Sequence, residues 1–151
     1  MKKSILFLIL IVCLFMTGCS NGFAKREYIS NEKIAKQEDH YAKKNSVYNP
    51  IVGGCHLTVG EFDGRQTLWT LMAEEEQDME VSIYISLLEG QAKVVYVDAE
   101  GTTTTLVESI AEGTIEIETT ESVILKSGEN RFKVVGYDCR DLKVKLLFEE
   151  L

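Results

Sequence analysis

The chain has 151 residues, and 24 acidic against 16 basic side chains give it a formal net charge of −8. The charge is unevenly spread, with residues 20–50 at a net +2 and residues 51–151 at a net −12. A strongly acidic body of about 100 residues fits one domain and argues against nucleic acid as a partner.

Lys2 and Lys3 supply a positive N-terminal end, and Leu6 to Phe15 form an unbroken apolar run. That run is about ten residues long, too short to cross a bilayer of roughly 30 Å as a helix. It closes on Leu14-Phe15-Met16-Thr17-Gly18-Cys19, which places a small residue directly before a cysteine. The order of charge, apolar run and small residue follows the plan of a signal peptide. The closing residues resemble the lipobox of bacterial lipoproteins, the signal peptidase II site, with Met16 a less usual residue at its position than leucine. The resemblance covers only about 20 residues. It implies that residues 1–18 are a signal peptide and that Cys19 is lipidated. The protein is then expected at the cell membrane, lipid-anchored and facing the outside of the cytoplasmic membrane. It implies nothing about the fold of the body.

Residues 19–50 read as the lipidated cysteine and a polar tether, with Asn21, Ser30, Asn31, Asn45, Ser46 and Asn49 scattered through it. A flexible chain of this length spans about 30 Å, and its basic residues suit a position beside anionic head groups. Asn31 to Lys44 offers a marginal helix with Ser30 or Asn31 as N-cap, its apolar face thin (Ile34, Ala35, Tyr41, Ala42). Pro50 marks the boundary with the domain, residues 51–151.

Within 51–151 the apolar period is close to two. In Met79 to Leu88, residues Met79, Val81, Ile83, Ile85 and Leu87 fall on one face and Glu80, Ser82, Tyr84 and Ser86 on the other, the alternation of a strand with one wet face. Similar strands are expected at 56–62, 66–72, 92–97, 103–110, 114–119, 123–126, 131–137 and 142–148. Turn signals lie between them: Asp63-Gly64, Glu89-Gly90, Asp98-Ala99-Glu100-Gly101, Glu112-Gly113 and Ser127-Gly128-Glu129-Asn130. Short strands at even spacing, about eight of them, predict an all-β fold, an antiparallel β-sandwich of jelly-roll or immunoglobulin-like type.

The last two strands read as a hairpin, with Phe132 opposite Leu146, Val134 opposite Val144, and Tyr137 to Asp141 as its loop, since a one-residue slip would mix the faces. That register puts Lys133 opposite Lys145 on the wet face, with Arg131 and Lys143 nearby, an unfavourable grouping of like charge. Glu116 and Glu118 are available to neutralise it, and an anionic ligand is the alternative. The same hairpin puts Cys139 at a loop tip. Cys55 and Cys139 are the two cysteines of the body, and an exported domain allows them to form a disulfide worth about 4 kcal/mol in the chain-entropy model. Two separate buried thiols are the alternative.

Catalytic signatures are scarce. His40 and His56 are the only histidines, and adjacent Cys55 and His56 point to opposite faces of a strand, poor geometry for a nucleophile and its base. No Gly-x-Ser-x-Gly, His-Glu-x-x-His or P-loop occurs, and nothing calls for a cofactor. The acidic turn Glu74, Glu75, Glu76 and Asp78 reads as solvated rather than as a metal site. The sequence therefore points to a non-catalytic binding module of the cell envelope, for glycan or protein. Tyr84, Tyr137, Arg131, Lys133, Lys143 and Lys145 are its candidate ligand-binding residues, aromatic rings being suited to sugars or peptides. Two alternatives are an inhibitor or assembly factor for an exported enzyme, carried by a protruding Tyr137–Asp141 loop, and an enzyme with dispersed carboxylates.

Overall fold

The computed structural model describes residues 21–150; residues 1–18, expected as a signal peptide, and Cys19 lie outside them. Two helices, α1 (Asn21–Ile29) and α2 (Asn31–Ile34), precede five strands: β1 (His40–Ile51), β2 (Gly54–Ala73), β3 (Gln77–Val97), β4 (Thr103–Leu125) and β5 (Gly128–Glu150). The strands form one antiparallel sheet in the order β1-β2-β5-β3-β4. No helix among the described residues is long and apolar enough to cross a membrane.

β2 to β5 are 20 to 23 residues long, which fully extended would be about 70 Å. They are instead bent at mid-length, so the sheet folds over on itself. Phe132 and Phe148 sit at opposite ends of β5, yet their rings lie 4.8 Å apart. Trp69 of β2 stacks on Phe148 at 5.9 Å, and Tyr96 Oη donates across the fold to the Ile124 carbonyl at 2.8 Å.

The two halves make two layers. The front layer runs β1, β2 (54–62), β5 (139–150), β3 (77–87), β4 (115–125); the back layer runs β2 (64–73), β5 (128–136), β3 (89–97), β4 (103–112). Counting the halves of β2 to β5 as eight strands, this is the two-sheet order of a jelly roll, with β1 added at one front edge.

The bend line crosses the sheet where the register shifts, at Phe62/Gly64, Leu87/Glu89 and Glu89/Gln91. Gly64 and Gly90 have φ of +105° and +95°, which favours glycine. A Cβ on them would lie 2.1 Å from the His40 carbonyl oxygen and 2.3 Å from that of Asp138. The signals at Asp63-Gly64, Glu89-Gly90 and Glu112-Gly113, expected as turns between short strands, are thus bends inside long ones. A bend and a turn ask for the same residue types, so the sequence pattern does not separate them. Asp98–Gly101 is a true turn, its Asp98 carboxylate accepting from the N–H groups of Glu100 and Thr102 at 2.9 and 2.7 Å.

The apolar alternation is realised between the layers. Cys55, Leu57, Val59, Phe62, Met79, Val81, Ile83, Ile85, Leu87, Val94, Phe132, Val134, Leu142, Val144 and Leu146 form one buried core. The expected last hairpin does not form. Phe132 pairs with Trp69 and Tyr96, and Leu146 with Cys55 and Ile83; the two halves of β5 meet face to face across the core instead of edge to edge. Period-two patterning assigns both halves to one apolar environment and is silent on which way they join.

Cys55 and Cys139 are free, buried thiols, so the expected disulfide is absent. Cys55 pairs with Leu146, whereas Cys139 pairs with Phe62, seven residues further along β2. At about 3.3 Å per residue that separates them by roughly 20 Å, against the 7 Å limit for bridging. Burial pushes the Cys55 thiol up to about 11 and the Cys139 thiol up to about 12. Cys139 is also not at a loop tip, because 137–141 lies within β5, with Asp138 and Asp141 at φ of 52° and 48° making the bend.

The segment expected as a tether is part of the folded body. Ser30 does cap a helix, its Oγ accepting from the Lys33 N–H at 3.3 Å, but the helix is only α2. Tyr28 and Ile34 pack on Val95, Val97 and Val135, which point outward from the back layer. Residues 40–51 become edge strand β1 along β2.

Candidate functional site

The outer face of the back layer is closed. Arg65, Lys93, Arg131 and Lys133 all rise from it and are each 8% exposed or less. Their partners come from the N-terminal segment. Arg65 Nε donates to the Lys33 carbonyl at 2.6 Å, Arg131 Nη2 to that of Ala35 at 2.9 Å, and Lys133 Nζ to that of Lys36 at 2.5 Å. Three sheet cations thus bind main-chain carbonyls at the end of α2 and just beyond it. Glu27 of α1, 2% exposed, lies 3.0 Å from Lys33, 3.2 Å from Arg65 and 3.4 Å from His40. Burial works against its charge, but the Lys33 hydrogen bond and the Arg65 charge outweigh it and hold the carboxyl below its ordinary value. Burial lowers Lys133, with Asp39 at 3.6 Å opposing.

This corrects the expected placement of Arg131 and Lys133. They are internal fasteners, not an exposed binding patch, and Lys133 does not oppose Lys145. Tyr137 is half-buried at the bend against the same back cluster. Trp69 and Tyr96 belong to the core.

The outer face of the front layer is open. One row across it reads Asn49, His56, Lys145, Tyr84, Glu118, and the next reads Val47, Thr58, Lys143, Ser86, Glu116. Tyr84 stands between two buried neighbours, Ile83 and Ile85, so the pleat turns its half-buried ring outward. Ser82, Tyr84, Glu118, Lys145 and Leu147 line a shallow hollow of about 30 Å³. Lys143, Lys145, Glu116 and Glu118 are exposed, and none has a salt-bridge partner among the described residues. The lysines lie on β5 and the glutamates on β4, with β3 between them, a spacing of about 10 Å at 4.8 Å per strand. Neutralisation by Glu116 and Glu118 is therefore not direct. His56, Asn49 and Thr58 join the candidates because β1 and β2 bring them into the same rows.

A second concave region lies at the bend, a cleft of about 200 Å³ lined by Glu61, Asp63, Glu89, Asp138, Cys139 and Arg140. Two of its four carboxylates, Glu61 and Asp63, are engaged structurally. Glu61 pairs with Arg140 at 2.7 Å and Lys44 at 2.8 Å, and its hydrogen bond with Lys44 holds it low. Asp63 is raised by burial and accepts the Asp138 N–H at 2.7 Å. The expected protruding loop at Tyr137–Asp141 is this same bend. In the acidic turn, Glu76 pairs with Lys126, and no group of His, Cys, Asp or Glu among the described residues is arranged to hold a metal ion.

No protein-family model and no curated protein matches the chain. Among solved structures it is similar to a carbohydrate-binding module of lichenase 5A from Cellvibrio mixtus in complex with cellotriose, at TM-score 0.42 and 10% identity over 74% of this chain and 90% of that one. It is similar also to a family 35 carbohydrate-binding module from Clostridium thermocellum (TM-score 0.38, 13% identity, 74% and 92%). Murine APRIL stands equally near (TM-score 0.38, 10% identity, 72% and 96%). Likenesses this distant carry no argument about what the chain binds.

Proposed function

We propose that this chain is an envelope lipoprotein, anchored in the membrane through Cys19, whose jelly roll is a non-catalytic glycan-binding module. The binding surface in this reading is the front outer face around Tyr84. One observation carries it: a tyrosine ring set between Lys145 and Glu118, neither with a salt-bridge partner among the described residues, with the Ser82 hydroxyl beside it, on a face that none of the described residues covers. An aromatic ring offers an apolar surface to a sugar ring while its hydroxyl stays wet, and the neighbouring polar groups supply directional hydrogen bonds. A protein-binding face calls for a desolvated apolar centre with charge kept to its rim; here charges sit at the centre.

The test is retention of a soluble form beginning at Asn21 on immobilised cell-wall polymer, beside an envelope protein extract, at low and high salt. Retention on polymer is expected, with Tyr84→Ala weakening it by about tenfold, an effect of about 1.4 kcal/mol, and with high salt weakening it through Lys143 and Lys145. Capture of one discrete protein in place of polymer, or full retention by Tyr84→Ala, would overturn the assignment.

A further inference from the structure

The proposed lipid on Cys19 and the structured start of α1 at Asn21 are two residues apart, at most about 7 Å of chain. α1 is not free to act as a spacer. Ala24, Glu27 and Tyr28 are 1%, 2% and 6% exposed, the Tyr28 hydroxyl donates to Glu108, and Lys93 sits over the Tyr28 ring at 4.6 Å. The residues after α1 are held by Arg65, Arg131 and Lys133. The opposite stripe of the helix is Gly22, Lys25, Arg26 and Ile29, all exposed, at the three- and four-residue spacing of one helix face. It carries two cations and no acid, and Ile29 is 67% exposed. The rest of the protein is the reverse in charge, residues 51–151 standing at −12.

We infer that this stripe of α1 rests on the membrane surface that holds the lipid. The short link brings α1 to the head groups, anionic lipids attract Lys25 and Arg26, and the acidic body is repelled. α1 lies over the back layer, whereas Tyr84 is on the outer face of the front layer, so this orientation directs the Tyr84 face away from the membrane. The inference rests on the Cys19 anchor proposed above.

The experiment uses the full chain purified with its anchor and reconstituted in vesicles containing one third anionic phosphatidylglycerol. The mass of the N-terminal peptide reports the lipid on Cys19. An environment-sensitive fluorophore is placed by Ile29→Cys or, on the front face, Ser122→Cys; the native thiols at Cys55 and Cys139 are buried and do not compete. Head-group-quencher lipids should quench the fluorophore at position 29 at least twofold more than at position 122, and Lys25→Glu with Arg26→Glu should lower that ratio while the protein stays on the vesicles. Equal quenching with the lipid present overturns the orientation alone, and a ratio indifferent to charge reversal overturns the part given to Lys25 and Arg26. A Cys19 peptide without lipid removes the anchor and the orientation together.

Discussion

On the back layer, Arg131 and Lys133 rise outward from β5 and vanish beneath α1 and α2; on the front layer, Lys143 and Lys145 rise from the same strand in the same way and stay in water. The strand geometry is identical, and cover makes the difference. Taking a charge out of water costs several kcal/mol per ion, and the back face offsets this with Glu27, Asp39 and three main-chain carbonyls. Lys143 and Lys145 on the front face bear no such cost, and neither has a salt-bridge partner among the described residues. One set of cations holds the chain together, and the other remains available to a ligand.

The largest test of this contrast is Arg65→Ala. It removes the buried partner of Glu27 and the donor to the Lys33 carbonyl, leaving a buried carboxylate under-compensated. A loss of about 3 kcal/mol in urea unfolding is expected, the range for breaking a buried pair. Glu27→Ala with Arg65→Ala should cost less than the sum of the single changes, because the second removes the charge that the first left stranded. Strict additivity would mean that the back cluster is not a unit.

Acid offers a smaller, directional test. The Glu27 carboxyl is lowered in the folded state from an ordinary value of 4.5. A depressed carboxyl contributes stability above its unfolded value, and that contribution is lost as pH falls through the lower folded value. The melting temperature should therefore fall more steeply below about pH 4.5 in the wild type than in Glu27→Gln. Parallel curves would show that the buried carboxylate does not couple to the fold.

The sequence makes the core legible and leaves its cover hidden. The alternation of Met79 to Leu88 reads directly as a front-layer half-strand, and Phe132, Val134, Leu142, Val144 and Leu146 all reach the core as their spacing requires. Strand β1 is invisible because His40–Ile51 lies at an edge and is mostly exposed, so no apolar face imposes a period on it. Lys133 is held by the Lys36 carbonyl and Asp39, which follow α2 and are far from Lys133 in sequence. A local signal does exist: Val94-Val95-Tyr96-Val97 and Val134-Val135 are apolar on consecutive positions, the mark of a strand covered on both faces. Tyr84 has no such continuous neighbours, so the sequence marks its face as open, whereas strict alternation alone does not distinguish the closed face from a second open one.

The smallest effect expected is also the one that best separates the two faces. Lys143→Ala with Lys145→Ala removes two exposed cations that have no salt-bridge partner among the described residues, so unfolding free energy should change by no more than about 0.5 kcal/mol. The same double change should lower the salt concentration at which wall polymer is released, because the lysines contribute to the ligand what they do not contribute to the fold. A stability loss of more than about 1.5 kcal/mol, beyond what surface changes ordinarily produce, would mean that the front lysines are structural as well. The charge on the two faces would then differ in degree of burial only, and the case for the Tyr84 face as a binding surface would lose its footing.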